Sequence, residues 1–410
     1  MTLSNPGTLF LAYAKDEKVD KAKWMVTSGA FISMSFLGMS RTFLGTALPA
    51  IRSSLELTIL QAGTLTALLQ LGFSAAVFIG GPISDVFKKS TVLMLGCLFM
   101  GINLILFGFS EWFWLNLTGI VFIGIGGGLI ESSSNPLLIE LFPGQESMVM
   151  QLHHFFFALG SLGGPLIMGA VLAKAIPWQW AYVGFGLFAL SIFFFILLQK
   201  ASTPQKKGGF EMRLVRNLMI EKTFLSLFFI TFFNSGVQNG ICFWMVTFLK
   251  ETRGFPIALA STSLFLFFAS VAMGRLFSSY LLTRLHETTY LLGLFSLLFV
   301  SLLFSIFAAG KWAILFFALS GLAQSAVFPS LLGMTGKIYS KIPGAAMGIL
   351  ATGAGLGSVV IPWLMSLISQ LTNLKAGFLS FEVFVVLCVV LVGIQFHHLR
   401  RLLPLRVPAR

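Results

Sequence analysis

The chain consists largely of continuous apolar runs separated by short polar stretches. A run that is apolar at nearly every position, rather than at alternate positions, favours a membrane helix over a strand. Twelve runs reach the roughly 20 residues that a helix needs to cross a bilayer. They lie near residues 24–50, 58–80, 90–110, 113–139, 147–173, 177–199, 222–249, 256–282, 289–309, 311–335, 344–370 and 375–399. The pattern therefore predicts an all-α membrane protein with twelve transmembrane helices.

Composition agrees with this pattern and excludes a water-soluble protein. Hydrophobic residues, among them 45 Phe, make up 57% of the chain, and charged residues make up 10%. The three cysteines fall inside predicted spans without CxxC spacing, and the histidine pairs lack acidic or Cys partners at ligand spacing. We therefore expect neither a catalytic centre nor a cofactor, and no enzymatic activity.

Basic residues predict the orientation. Nineteen Lys and Arg residues lie on the side that carries both termini, against six on the opposite side. The positive-inside rule then makes the termini cytoplasmic, in a multi-pass protein of the cell membrane. The net charge of +13 reflects orientation and contact with anionic lipid, so nucleic acid is not an expected partner.

One long polar stretch divides the chain. Residues 200–219, KASTPQKKGGFEMRLVRNLM, are basic and marked by Pro and Gly, which is typical of a cytoplasmic linker. We expect a monomer whose first helix is not removed as a signal peptide, and we predict the following organisation. A cytoplasmic segment (1–23) precedes a six-helix bundle (24–199), the linker (200–219), a second bundle (220–399) and a cytoplasmic tail (400–410).

The two halves repeat with an offset of 193 residues. Gly and Pro matches carry the most weight because they mark kinks and close helix contacts. The matched pairs are Gly81 with Gly274, Pro136 with Pro329, Ala158 with Ala351, Gly160 with Gly353, and Gly164 with Gly357. They indicate two parallel bundles related by a pseudo-two-fold axis along the membrane normal, with a solute site between them at mid-depth.

The stretch GPISDVFKK, residues 81–89, resembles the loop between the second and third helices of the major facilitator superfamily of transporters. The match rests on Gly81, Asp85 and Lys89, whereas Val86 and Lys88 depart from the pattern. The second-half copy, GRLFSSYLLTR, lacks the acid. The resemblance implies that Asp85 latches the eleventh helix near Pro343 and Gly344, the alternative being a solvated loop charge.

A narrower resemblance covers about fifty residues. ESSSNP, followed by QLHHFFFALGSLGGP, is similar to the fourth and fifth helices of the fucose permease and sodium-dependent glucose transporter group. Glu131 and Asn135 match the group, His154 and Phe157 depart from it, and Gly45 stands where the fucose permease has its first-helix Asp. The resemblance implies symport of a sugar or similar small polar solute, coupled to a proton or sodium ion.

Glu131 and His154 are predicted to form the coupling site. They lie equally far from the turn between the fourth and fifth helices, so they share a depth near the middle of the membrane. A carboxylate at that depth is costly and is most often functional. The alternative is a permanent Glu-His pair that ties two helices together.

Five polar residues are predicted to contact the substrate: Arg41, Asn135, Asn234, Gln238 and Gln324. With the 193-residue offset, Arg41 maps to Asn234 and Glu131 maps to Gln324, so the second half is polar but uncharged at these depths. Amides suit hydroxyl groups, although buried amides also form bonds between helices.

Arg41 leaves the solute class open. It either neutralises Glu131, which fits a neutral sugar, or clamps a carboxylate or phosphate, which fits an organic anion. Export of amphiphilic compounds is a further alternative. Arg275 is a predicted gating residue that meets Glu140 or Glu146 when the pore closes toward the cytoplasm.

Overall fold

The computed structural model describes residues 21–109, 112–198, 218 and 220–402, within which it does not describe the side chains of 21, 22, 81, 82, 84–86, 146, 147, 279, 283, 344 and 345. The described residues form twelve helices, the tenth in two pieces. These are α1 (Lys21–Ser54), α2 (Ile59–Val86), α3 (Lys89–Leu106), α4 (Phe113–Leu141), α5 (Glu146–Ala173), α6 (Trp178–Leu197), α7 (Lys222–Arg253), α8 (Ile257–Arg284), α9 (Glu287–Phe307), α10a (Trp312–Gln324), α10b (Val327–Ile338), α11 (Pro343–Leu371) and α12 (Leu374–Leu402). The predicted all-α fold is confirmed.

Alternate helix ends lie on opposite faces of the molecule. We call the face where α1 begins and α12 ends the linker face, and the face where α1 ends the far face. The predicted linker, apart from Leu218, and the predicted terminal segments before residue 21 and after residue 402 lie outside the described residues.

Ten of these helices are long and apolar enough to cross a membrane, and α1 and α7 are the two that fall short. These two helices are the more polar ones because they carry Arg41 and the stretch from Asn234 to Asn239. They pack against each other where the bundles meet: a Cβ added at Gly45 of α1 would overlap the Cys242 carbonyl of α7. The two more polar helices therefore lie in contact at the centre of the molecule.

The sequence repeat corresponds to equivalent contacts in the two bundles. Glycines of α5 pack on α1 so closely that an added Cβ would meet its backbone, and the matched glycines of α11 pack on α7. The paired contacts are Gly160 on Ser35, Gly164 on Met39, Gly353 on Phe228 and Gly357 on Phe232. Each contact of the first bundle becomes its counterpart when 193 is added to both residue numbers. The pseudo-symmetry predicted from the glycines is thus a symmetry of helix packing.

The predicted span 311–335 corresponds to one apolar segment, Trp312–Ile338, which consists of two helices rather than one. Pro329 has no N–H to bond the carbonyl of Ser325, four residues earlier, and α10a ends at Gln324. Nε of Arg275 on α8 donates to that carbonyl over 3.2 Å. Pro136 leaves α4 continuous, so the break belongs to the second bundle.

Ion pairs on the linker face repeat with their charges exchanged. Nζ of Lys89, at the start of α3, lies 2.9 Å from the Glu140 carboxylate near the end of α4. In the second bundle Glu287, at the start of α9, pairs with Lys337 near the end of α10b. Lys89 is almost fully buried, so its charge depends on this acid. The resemblance motif had suggested a loop residue at this position.

The two bundles are joined at the far face. Nη1 of Arg52 on α1 donates to both carboxylate oxygens of Glu251 on α7, over 2.6 and 2.7 Å. Oε1 of Gln370 on α11 accepts from the first backbone N–H groups of α2. Further from the far face, Gln70 on α2 donates to Asn239 on α7. The cleft between the bundles therefore opens to the linker face.

Replacing Gly160 with Ala is expected to destabilise the protein by roughly 1–3 kcal/mol, because the methyl group would overlap the Ser35 carbonyl and force α5 away from α1. The measurement is the midpoint of thermal unfolding in detergent. Gly184→Ala on α6 is the matched control, since no atom lies within 4 Å of the added Cβ. Equal midpoints for the two variants would contradict the packing argument.

Candidate functional site

Arg41 is a cation without an acidic partner among the residues that the structure describes. Its guanidinium carbon lies 4.3 Å from the ring centre of Phe73 on α2 and 5.6 Å from that of Phe157 on α5. Its Nε atom is buried without a hydrogen-bond partner. No described acidic oxygen lies within 4.0 Å of the guanidinium, Glu131 included. Stacking on aromatic rings stabilises the charge yet leaves the in-plane N–H groups available.

A bridge of polar side chains crosses from one bundle to the other beside Arg41. Nε2 of Gln70 on α2 donates to Oδ1 of Asn239 on α7 over 3.4 Å, and Nδ2 of Asn239 donates to Oγ of Ser358 on α11 over 2.9 Å. Arg41 and Gln70 line the same small cavity, together with Ser40. Four helices, α1 and α2 of the first bundle and α7 and α11 of the second, thus bring donors and acceptors close together.

Sequence reasoning did not single out this bridge. Gln70 is one polar residue in the apolar run LLQLG, and Asn239 follows Gln238 in FNSGVQNG. A helical-wheel comparison of α7 would have placed Gln238 and Asn239 on different faces, since adjacent residues of a helix point about 100° apart. The partner of Asn239 could not have been found in this way, because Gln70 lies 169 residues away in the chain.

Glu131 and His154 form a second polar layer nearer the linker face. Glu131 lies one helical turn beyond Gly127, which faces Phe73, and His154 lies about one turn before Phe157. His154 is within electrostatic range of both the Glu131 carboxylate and the Arg275 guanidinium. Glu131 and His154 make no ion pair within 4.0 Å, and neither side chain is buried. The layer is therefore charged and accessible from the cleft.

The tie between α4 and α5 is made by neighbouring residues. Oγ of Ser134 and Nε2 of His153 lie 3.0 Å apart, with both side chains fully buried. His153 also packs against Phe31 of α1. A buried bond of this kind fixes the relative position of the two helices, which leaves His154 free of that structural task.

The other predicted substrate residues divide by burial. Asn135 and Gln238 are half-buried. Asn234 is 1% exposed and Gln324 is 2% exposed, and the amide atoms of both are buried without hydrogen-bond partners. The backbone of Asn234 lies against the Cys388 thiol of α12, on the interior of the second bundle. In this conformation, therefore, a solute in the cleft touches neither Asn234 nor Gln324.

The predicted gating contacts, those of Asp85 with the start of α11 and of Arg275 with Glu140 or Glu146, stay predictions. The side chains of Asp85 and Glu146, and Gly344 opposite Asp85, lie outside the described side chains. Glu140 is paired with Lys89 in this conformation. Arg275 is exposed in the cleft, where it bonds the carbonyl at the break in α10.

Known proteins share both the sequence pattern and the fold. The family model of the Major Facilitator Superfamily matches residues 30–317 and 227–403. Sodium-dependent glucose transporter 1 of Danio rerio is 24% identical over 385 residues, which cover 84% of this chain and 64% of that protein. The glucose/mannose transporter GlcP of Bacillus subtilis is 23% identical over 337 residues, which cover 79% and 82%.

A solved structure matches the whole architecture. A bacterial homolog of the human lysosomal transporter Spinster, in an inward-facing and unoccupied conformation, superposes with a TM-score of 0.80 and 13% identity. The match covers 95% of this chain and 100% of that one. Since the family model spans far more than half of the sequence and the fold agrees, this chain belongs to the Major Facilitator Superfamily of membrane transporters.

Proposed function

We propose that the protein is a secondary active transporter that couples entry of a sugar or similar small polar solute to entry of a cation. The observation that carries this proposal is the position of the polar bridge from Gln70 to Asn239 and Ser358. It lies at the closed end of a cleft between two pseudo-symmetric bundles, with Arg41 beside it. Two relatives that match most of this chain are named as glucose transporters, which supports a hydroxylated solute.

The bond between Gln70 and Asn239 suits a solute that binds reversibly. Its length of 3.4 Å is at the outer limit for an N–H to oxygen bond, so it is weak. A solute hydroxyl could replace it with two bonds, one to each bundle, because each amide both donates and accepts. A solute held by both bundles favours the conformation in which they close around it.

Coupling is assigned to Glu131. Its carboxylate is half-buried at membrane depth and has His154 as an electrostatic neighbour. A proton or a sodium ion would neutralise the carboxylate before the cleft closes, and this lowers the cost of moving it into a drier environment. Arg275, on the facing bundle, is the cation that competes for the ionised carboxylate.

The excess of basic residues on the linker face supports a cytoplasmic location for that face, in the cell membrane. The conformation described here is then the inward-facing one, and the far face, which is closed in it, lies on the outer side of the membrane. Alternating access requires the Arg52–Glu251 pair and the Gln370 contacts to break as the bundles rock.

Uptake of labelled glucose into proteoliposomes, with an imposed pH or sodium gradient, tests the proposed function. Accumulation above the external concentration that depends on one gradient is the expected result and identifies the coupling ion. Equal glucose content in protein-containing and protein-free vesicles under both gradients, extended to labelled sugar acids, would refute it.

Glu131→Gln is expected to abolish uphill accumulation while exchange of internal for external solute continues, because the amide cannot exchange the coupling cation. Counterflow and gradient-driven uptake are measured on the same vesicles. Glu56→Gln, at an exposed acid of the far face, is the matched control. Normal uphill accumulation by the Glu131 variant would remove Glu131 from the coupling site.

Asn239→Ala is expected to weaken solute affinity about fivefold, the effect of one lost hydrogen bond of about 1 kcal/mol. Asn234→Ala is the comparison, since its side chain is sealed inside the second bundle. Apparent affinity in transport separates the two. A larger loss for Asn234→Ala would place the solute on the residue predicted from sequence instead.

Glu251→Gln is expected to open the far face more often, because it removes a partly buried ion pair worth up to about 1 kcal/mol. A reporter cysteine at Ser366, which is buried against Gly63 where α11 and α2 of the two bundles meet, should react several times faster with an impermeant maleimide. Exchanging the charges, with Arg52→Glu and Glu251→Arg, should restore slow labelling. Unchanged labelling in the single variant would show that the pair does not hold this face closed.

A further inference from the structure

We infer that the solute carries a carboxylate as well as hydroxyl groups, that is, a sugar acid or similar hydroxylated monocarboxylate, with Arg41 binding the carboxylate. The inference rests on the proposed function, because it names the chemical class of solute for the same cleft. It is carried by the unmatched charge of Arg41 and by the uncharged groups that surround it.

Arg41 has a permanent charge that nothing in the described part of the chain neutralises. The ion pairs formed there are Arg52 with Glu251, Lys89 with Glu140 and Lys337 with Glu287. The Nε donor is buried and unbonded. Leaving a buried donor of a charged group unsatisfied costs more than leaving a neutral one, so the site is incomplete without an acceptor.

Glu131 does not supply that acceptor. It lies one turn nearer the linker face, where His154 is its electrostatic neighbour and His154 in turn has Arg275 as a neighbour. If Glu131 takes up the coupling cation, its carboxylate is neutralised at the step when Arg41 would most need a counter-ion. An anionic group on the solute satisfies Arg41 in that state.

Phe73 and Phe157 lie against the Arg41 guanidinium. The guanidinium carbon lies over both rings, one from α2 and one from α5, and the buried Nε donor is unbonded. A carboxylate accepts two parallel bonds from the edge of a guanidinium, which a single hydroxyl cannot do.

The groups next to Arg41 are neutral and suit the remainder of such a solute. Gln70 and Arg41 line a small cavity whose lining residues all belong to the first bundle. The hydrogen bond from Gln70 to Asn239, and that from Asn239 to Ser358, lead from there to the second bundle. Amides and a hydroxyl bind sugar hydroxyls, and they add no second positive charge that would call for a diacid. The arrangement therefore fits one carboxylate and several hydroxyls.

The test compares glucuronate with glucose, two solutes that differ only in a carboxylate in place of a hydroxymethyl group. Binding to the purified full chain is followed by thermal shift at constant ionic strength, with sodium chloride and sodium phosphate as separate arms. Gradient-driven uptake of both labelled solutes is measured in proteoliposomes. We expect glucuronate to bind and accumulate with at least about tenfold preference, the range of a charge-assisted hydrogen bond.

Arg41→Gln should abolish that preference, and Arg41→Lys should weaken glucuronate binding because it keeps the charge but loses the fork. Lys174→Gln, which removes an exposed charge at the end of α5, should change nothing. If Arg41→Gln unfolds, two measurements still test the inference: glucuronate binding by Arg41→Lys, and the preference of the unmodified protein for glucuronate over glucose.

The outcomes are distinguishable. Glucose taken up as well as or better than glucuronate, or a glucuronate preference that survives in both Arg41 variants, overturns the inference and leaves the proposed function standing. Stabilisation by chloride or phosphate equal to that by glucuronate also overturns it, since Arg41 would then bind small inorganic anions. Uptake of neither sugar overturns both.

Discussion

The requirement that every polar group inside a membrane protein find a partner governs this structure. The carbonyl that Pro329 leaves unbonded in the tenth helix receives Arg275, and the buried Lys89 receives Glu140. His153, sealed between helices, receives Ser134. Other buried polar atoms of the described residues have no hydrogen-bond partner. Arg41 is the one among them whose charge is permanent, which makes the space around it the natural place for a ligand.

The same constraint explains why the scaffold is symmetric and the site is not. Backbone packing between α5 and α1 is repeated between α11 and α7, because close glycine contacts depend on shape and are equally useful in both bundles. Charges need partners and are costly to duplicate. The first bundle accordingly holds Arg41 and Glu131, whereas the second offers Asn239 and Ser358 at the cleft. At the depth of Arg41, a solute bound between the bundles would meet charge from the first bundle and the neutral groups of Asn239 and Ser358 from the second, whose charged residue, Arg275, lies nearer the linker face.

The sequence predicted those features that depend on local pattern. Twelve apolar runs predict twelve helices, and repeated glycines predict two matched bundles. Both predictions succeed because membrane burial and close helix packing depend on residues that lie close together in the sequence. Contacts between bundles depend instead on which helix faces meet across a large separation in the chain. Gln70 with Asn239 is such a contact. Asn234 shows a difference of another kind: its spacing from Gln238 is that of one helical face, yet its side chain is buried whereas that of Gln238 is half-buried. The sequence does not distinguish Pro329 from Pro136, its partner in the repeat, yet the tenth helix breaks before Pro329 whereas α4 is continuous through Pro136.

Charge balance in the cleft connects the proposed solute with the proposed coupling. With Glu131 ionised and His154 neutral, the empty cleft holds the two guanidinium groups of Arg41 and Arg275 and one carboxylate, and so carries a single net positive charge. Binding one proton at Glu131 together with a neutral sugar would double that charge just as the bundles close around it. Binding the proton together with a monoanionic solute leaves the net charge unchanged. The loaded and empty carriers would then move the same charge through a medium in which unbalanced charge is costly, so a sugar acid removes the electrostatic difference between the two halves of the transport cycle.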